Sequence, residues 1–357
     1  MNFSKTLIAL KQKHLYRSVK VVDGACVDFC SNDYLGLKNH PQVIEALKRG
    51  ADQYGVGSGA SHLISGHTQA HVELEEVLAD FVGQERALLF STGYVANIGV
   101  FSAFKDQLDW VLQDKLNHAS LIDANHLIGL PLQRYLHNDI ESLEKKLAKQ
   151  LGQGLIATDT VFSMDGNQAN IDALGGIAQK SGAVLMQDDA HGFGVFASNI
   201  PKDSIYMATL GKAAGTMGAF VAGNGNLIDF LVQKSRPYTY TTAIAPALCV
   251  ATLQSLKLIK QGEQQAQLHS NIAFFQKFSQ ALGLPITQSN SAIQPLIIGD
   301  NETTLKIAQT LLKNGFLVGA IRAPTVPKGT ERLRITLSAK HTQSQIEQLL
   351  MHIKNAL

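Results

Sequence analysis

The sequence predicts an α/β protein: a mostly parallel sheet with helices on both faces, followed by a smaller α+β C-terminal domain. Short β-branched or apolar runs alternate with helical patterns across the first two thirds of the chain, which is the order of repeated βαβ units. After Ala245 that alternation gives way to long helices. The length of 357 residues also exceeds the size at which one hydrophobic core stops growing, so a large domain plus a small one is expected. The expected division is an N-terminal arm over 1–32, a large domain over 33–256 and a small domain over 257–357.

Taken in order, "MNFSKTLIALKQKHLYRS" holds a broken apolar stretch among lysines and reads as an amphipathic helix, not a signal peptide. "PQVIEALKRGADQY" is helical in period, with Pro41 suited to a first turn. The βαβ region follows: "RALLFS" leads to a helix from about Tyr94, "DWVLQD" to "HASLIDANHL", and "LIATDTVF" to "NIDALGGIAQKSG" and then "GAVLMQDD". "SIYMATLGK" and "MGAFVAGN" continue the sheet. The tail predicts helices over about 245–260 and 264–282, the strand "AIQPLIIG", a helix near 303–314, strands in "GFLVGAI" and "RLRITLS", and a closing helix over 342–357. Residues 197–204 are too few for an ordinary crossover helix between parallel strands.

Composition narrows the function. The chain is 45% hydrophobic and 17% charged with a net charge of +2, the profile of a globular protein whose field is too weak to favour nucleic acid. No stretch approaches the apolar length needed to span a bilayer. Cys26, Cys30 and Cys249 make an odd count without paired metal-ligand spacing, so buried free thiols in a reducing compartment, the cytoplasm, are expected rather than zinc or disulfides.

In open parallel sheets, ligands sit outside the carboxyl ends of the strands, and "MQDDAHGFGVF" puts Asp188, Asp189 and His191 at such an end. One acid there could equally cap the next turn. "MATLGKAAG" places Thr209 and Lys212 after another strand, in a Gly-flanked turn where an amine could form a Schiff base with a carbonyl such as that of pyridoxal phosphate (PLP). PLP needs an acid against its ring nitrogen, which Asp188 would supply. His191 would reach the phenolic oxygen, and Asp189 would point to the other side of the strand. "FSTGYVAN" runs through Ser91, Thr92 and Gly93 into a helix N-terminus fit for a phosphate. His118 in "LNHASLID" would either stack on the ring or cap its helix, and "VFSMDG" adds Ser163 beyond another strand, with Asp165-Gly166 reading as a turn. "GVGSGA" (55–60) matches a dinucleotide fingerprint in letters but follows a helix, so a glycine-rich substrate loop is the better reading.

Ten stretches stand in one order: "CSNDYLGL", "GSGASHLISGH", "STGYVAN", "NHASLID", "VFSMDG", "DDAHG", "TLGKAAG", "YTTAIAP", "SAIQPLIIGDN" and "AIRAPTVPKGTERLRITLSAKHT". That order resembles the PLP-dependent α-oxoamine synthases, and the likeness spans residues 28–341. The resemblance implies a fold-type-I PLP-dependent transferase, a homodimer with shared active sites. It implies Lys212 as the Schiff-base lysine, Asp188 as the pyridinium partner, His191 near the phenolic oxygen and His118 stacked on the ring. Gly93 and Tyr94 would contact the phosphate, with Ser163 and Thr209 as further cofactor contacts and Thr242 reaching the neighbouring subunit's phosphate. Arg322 would clamp an amino-acid carboxylate in bidentate fashion, with Thr325 and Arg17 as further substrate contacts.

The reaction so implied is a decarboxylative condensation of L-alanine with a pimeloyl thioester, carried by coenzyme A or a carrier protein, in biotin synthesis. A sister synthase pairing glycine with an acetyl or succinyl thioester, an aminotransferase and a silent homologue are the alternatives. Two departures bear on the acyl pocket: Phe193 stands where the family has a smaller residue, and Ala323 where proline is common.

Overall fold

The computed structural model describes residues 3–12, 15–17, 19, 21–22, 24–287 and 289–357. It divides into a larger unit, residues 35–163 and 168–265, and a smaller one, residues 1–34, 164–167 and 266–357. The first strand, β1 (Val27–Asp28), belongs to the smaller unit. The next seven build the sheet of the larger unit: β2 (Arg86–Phe90), β3 (Trp110–Asp114), β4 (Gln133–Tyr135), β5 (Gly154–Asp159), β6 (Val184–Asp188), β7 (Ile205–Thr209) and β8 (Ala219–Gly223).

Their spatial order is β2-β8-β7-β6-β5-β3-β4. Only β8 runs against the rest, pairing antiparallel with both β2 and β7. The "MGAFVAGN" run therefore joins the sheet as an insertion between its first and fifth expected strands, since it enters from a short turn after β7. The chain steps outward from β3 to β4 and then returns to the other side of β3 with β5. That reversal opens a crevice at the carboxyl ends of β3 and β5.

Alternation along the strands sends side chains to two cores. Val111, Leu155, Met186 and Met207 pack on one face under the helices Gly93–Phe104 and Ala119–Ile128, while Trp110, Leu112, Ile156 and Leu185 pack on the other under Ile140–Leu147 and Ile171–Ser181. Pro41 opens the helix Pro41–Tyr54 as expected, and "GVGSGA" follows that helix, not a strand. Residues 189–204 join the parallel neighbours β6 and β7 without a helix. In its place Phe193, 1% exposed, sits between Phe81 and Phe220 with ring centroids 5.4 and 5.2 Å away. One buried aromatic ring there does the covering that a helix face does elsewhere in the sheet.

In the smaller unit β1 pairs parallel with β10 (Phe316–Leu317), and β9 (Ile293–Ile297), β11 (Gly319–Ile321) and β12 (Arg332–Thr336) form an antiparallel sheet in the order β11-β12-β9. "GFLVGAI" thus splits into two strands rather than forming one, because its two halves find partners in different sheets. The helices Glu263–Ala281, Asn301–Lys313 and Gln343–Ala356 belong to the tail, and the N-terminal stretch is helical over Phe3–Gln12 with no buried residue. All three cysteines are free, but only Cys249 is buried. Cys26 and Cys30 flank the two-residue β1, too short a strand to cover them.

Candidate active site

A cavity of about 140 Å³ lies at the carboxyl edge of the larger unit's sheet, lined by Gly93, Tyr94, His118, Ser120, Asp159, Asp188, Ala190, His191, Met207, Thr209 and Lys212. They come from β5, β6 and β7, the turns after β6 and β7, and the starts of the helices Gly93–Phe104 and Ala119–Ile128. Residues far apart in sequence meet there because parallel strands present their carboxyl ends on one edge.

Asp188 ends β6 on the same face as Met186 and is 5% exposed. Its Oδ1 accepts the Ala190 N–H at 3.0 Å and its Oδ2 accepts the Asn97 side-chain amide at 2.8 Å. So the carboxylate does cap the following turn, and it also lines the cavity with acceptor capacity remaining on each oxygen. Asp159, its partner in register on β5, is a lining residue that sequence reasoning missed. Burial first, and then the adjacent Asp188 charge, push the Asp159 carboxyl well above the usual carboxylate range. Desolvation and a neighbouring like charge both disfavour the ionised form of Asp159. The signal was present in "LIATDTVF", where an acid closes a buried run.

Asp189 faces the opposite side, as strand alternation requires. It lines a second cavity of about 200 Å³ with Thr160, Gln187, Tyr206 and others, accepting hydrogen bonds from the hydroxyls of Tyr206, at 2.5 Å, and Thr160.

His118 caps its helix and lines the cavity. As N-cap of the helix Ala119–Ile128 its Nδ1 accepts the Ser120 N–H at 3.2 Å, and its ring lines the cavity. Burial lowers its pKa most, Asp188 pulls the other way, and the nearby Lys212 charge lowers it further. Lys212 is half-buried in the turn after β7 and acts electrostatically on His118, Asp159 and Asp189.

At the start of the helix Gly93–Phe104, Thr92 caps Val95 through its hydroxyl, and the N–H groups of Gly93 and Tyr94 belong to the first turn, where no intrahelical partner exists. Gly93 is required by close approach: a Cβ there would lie 2.5 Å from Thr209 Cγ2. The Tyr94 hydroxyl donates to Asp123.

The remaining expected residues lie elsewhere. Ser163 stands beyond β5, outside the lining of this cavity. Thr242 is exposed and bridges Ser61. Arg17, Arg322 and Thr325 belong to the smaller unit, where an Arg17 Nη2 donates to Thr325 Oγ1 at 3.3 Å. That unit also holds a guanidinium the sequence reading passed over: Arg334 is buried on β12 and donates to Thr336 at 2.8 Å and Asn32 at 3.2 Å. Asn97, likewise missed, is a wholly buried amide on an otherwise apolar helix face, and polarity at such a position was its only trace in the sequence.

These donors fit PLP. A buried carboxylate with a free lone pair per oxygen suits a protonated ring nitrogen, a lysine of the same cavity suits the aldehyde, and a helix N-terminus kept open by glycine suits the phosphate.

The family model for aminotransferase class I and II matches residues 25–353. A curated relative, the 8-amino-7-oxononanoate synthase of Stutzerimonas stutzeri, is 48% identical over 98% of this chain and 95% of its own. A solved structure of SPT with PLP internal aldimine superposes with a TM-score of 0.92 at 29% identity, covering 100% of this chain and 98% of that one. The crystal structure of 8-amino-7-oxononanoate synthase from Francisella tularensis gives a TM-score of 0.80 at 31% identity, covering 93% and 98%.

Proposed function

This chain belongs to the class I and II aminotransferase family and is a PLP-dependent acyltransferase; we infer that it condenses L-alanine with a pimeloyl thioester to give 8-amino-7-oxononanoate, carbon dioxide and the free thiol, a step of biotin biosynthesis. The observation that carries this reading is the single cavity in which Lys212, Asp188, His118 and His191 meet at the sheet's carboxyl edge. PLP, when bound, supplies a carbonyl that condenses with amines and an electron-poor ring that accepts the electron pair left by a departing proton or carboxylate.

The protein's own residues do the rest. Lys212 would hold the cofactor through its amine, and its free Nζ would take the α-proton of alanine. Asp188 keeps the ring nitrogen protonated, which a neutral amide could not do. His191 would meet the phenolic oxygen, and His118 would stack on the ring and polarise the thioester carbonyl. Gly93 and Tyr94 bind the phosphate through the helix N-terminus, and Thr209 and Ser163 are further cofactor contacts. Arg322 and Thr325 hold the alanine carboxylate, and Arg17 meets the distal carboxyl of the acyl chain. Thr242, exposed on one protomer, serves the partner's phosphate in a homodimer with two-fold shared sites. The cytoplasm is the expected setting, and no helix among the described residues is long and apolar enough to cross a membrane.

The test supplies alanine or glycine with pimeloyl, succinyl and acetyl thioesters and follows thiol release and product mass. Alanine with pimeloyl thioester should be the fastest pair, and one methyl group allows a preference over glycine of about 10- to 200-fold. Glycine with an acetyl or succinyl thioester reacting faster refutes the substrate assignment. A monomer with full activity in sedimentation refutes the shared site.

A further inference from the structure

The acid and the imidazole of the site are joined by a hydrogen-bond chain whose direction follows from counting hydrogens. Asn97 is 0% exposed. Its Nδ2 donates to Asp188 Oδ2 at 2.8 Å and to Ser120 Oγ at 2.8 Å. An amide nitrogen carries two hydrogens, so both are committed. The reverse orientation would set Asn97 Oδ1 against a carboxylate oxygen, which excludes it. As it stands, Oδ1 is buried with no partner among the described residues, the arrangement expected of an amide held for its donors.

Ser120 Oγ receives one of those hydrogens on a lone pair and keeps its own proton free to donate. It lies 2.7 Å from His118 Nδ1. The backbone N–H of Ser120 points at the same nitrogen from 3.2 Å. A backbone N–H cannot accept, so two donors converge on Nδ1 and that nitrogen carries no proton. The neutral ring then bears its hydrogen on Nε2.

We propose that Asn97 and Ser120 are positioning residues that tie the orientation of Asp188 to the tautomer of His118, presenting its imidazole to the reaction as an Nε2–H donor and not as a base. This deepens the proposed function and rests on it for the identity of the substrate. The ring so fixed can polarise a carbonyl oxygen by donation, and the proton transfers fall to Lys212.

The closing experiment reads the tautomer directly. In cofactor-free protein labelled with ¹⁵N-histidine, the His118 resonances, assigned by their loss in His118→Gln, should show an unprotonated Nδ1 and a protonated Nε2. Ser120→Ala removes the hydroxyl donor without adding bulk. Its ring shifts should move toward the mean of the two tautomers, and kcat should fall about tenfold, the size of one hydrogen bond, with the KM for alanine unchanged. Ser120→Thr keeps the hydroxyl and should restore both. Asn97→Ser should raise the dissociation constant of PLP about tenfold, because Asp188 loses a donor.

A wild-type ring protonated on Nδ1, unchanged shifts in Ser120→Ala, or an Asn97→Ser protein that binds PLP as tightly as wild type would each overturn the proposal. A wild-type protein with the Nε2–H ring but no product from alanine and pimeloyl thioester would refute the proposed function while leaving the tautomer assignment standing.

Discussion

Asp189→Asn should make the protein more stable at neutral and alkaline pH and change little near pH 4. Asp189 is 7% exposed, and burial pushes its carboxyl from the usual 3.8 up to about 6 even though Thr160 and Tyr206 donate to it. The folded-state pKa is thus raised above the unfolded one. Such a group contributes stability that is fully present below about 3.8 and is lost as pH rises through about 6. At about 1.4 kcal/mol per pH unit, the gap from 3.8 to about 6 corresponds to about 3 kcal/mol at full ionisation. Part of that is already lost at about pH 4.5, so the interval between about pH 4.5 and about pH 8 carries about 2 kcal/mol. Asparagine keeps the size and does not ionise, and the two hydroxyls can rotate to accept from its amide. Urea unfolding of cofactor-free wild type and variant at both pH values should show the stability difference moving about 2 kcal/mol in favour of the variant as pH rises. A difference that stays constant with pH, or moves the other way, would refute the burial argument. Turnover of Asp189→Asn should remain near wild type, since this side chain faces the second cavity.

Asp188→Asn, one residue earlier, should fold yet lose most activity, and near-normal turnover would mean that the acid only caps its turn. Lys212→Ala should abolish turnover together with the borohydride-reducible link to PLP; the same link appearing at another lysine would sink the assignment. Gly93→Ala forces a Cβ against Thr209 Cγ2 at 2.5 Å and should weaken PLP binding at least about tenfold, measured by equilibrium dialysis. His341, stacked on Phe29 at 3.9 Å with its Nδ1 accepting from Ser338 N, has its pKa lowered by burial to about 4. Its contribution to stability is therefore present above about 6.5 and lost as pH falls toward 4. Wild type should lose about 2 kcal/mol from this residue between about pH 7 and about pH 5, a component that His341→Gln should lack in denaturant titrations.

The sequence by itself determined the order of elements and much of the larger unit's site. Apolar runs of strand length alternating with helical periods give the order of βαβ units, and the carboxyl ends of parallel strands share an edge, so Asp188, His118, Gly93 and Lys212 are marked by position alone. Alternation along β6 also separated Asp188 from Asp189 in advance. Tertiary structure decided what depends on partners distant in the chain. Pairing energy, not local pattern, inserted β8 between β2 and β7 and divided "GFLVGAI" between two sheets. Asn97 acquired its role only when the helix Gly93–Phe104 was laid across the sheet beneath Asp188, and Asp159 acquired its raised pKa only from burial and from the neighbouring strand's carboxylate. Hydrogen bonds and desolvation are set by which atoms come within about 3 Å of each other, and periodicity along the chain carries no record of that distance.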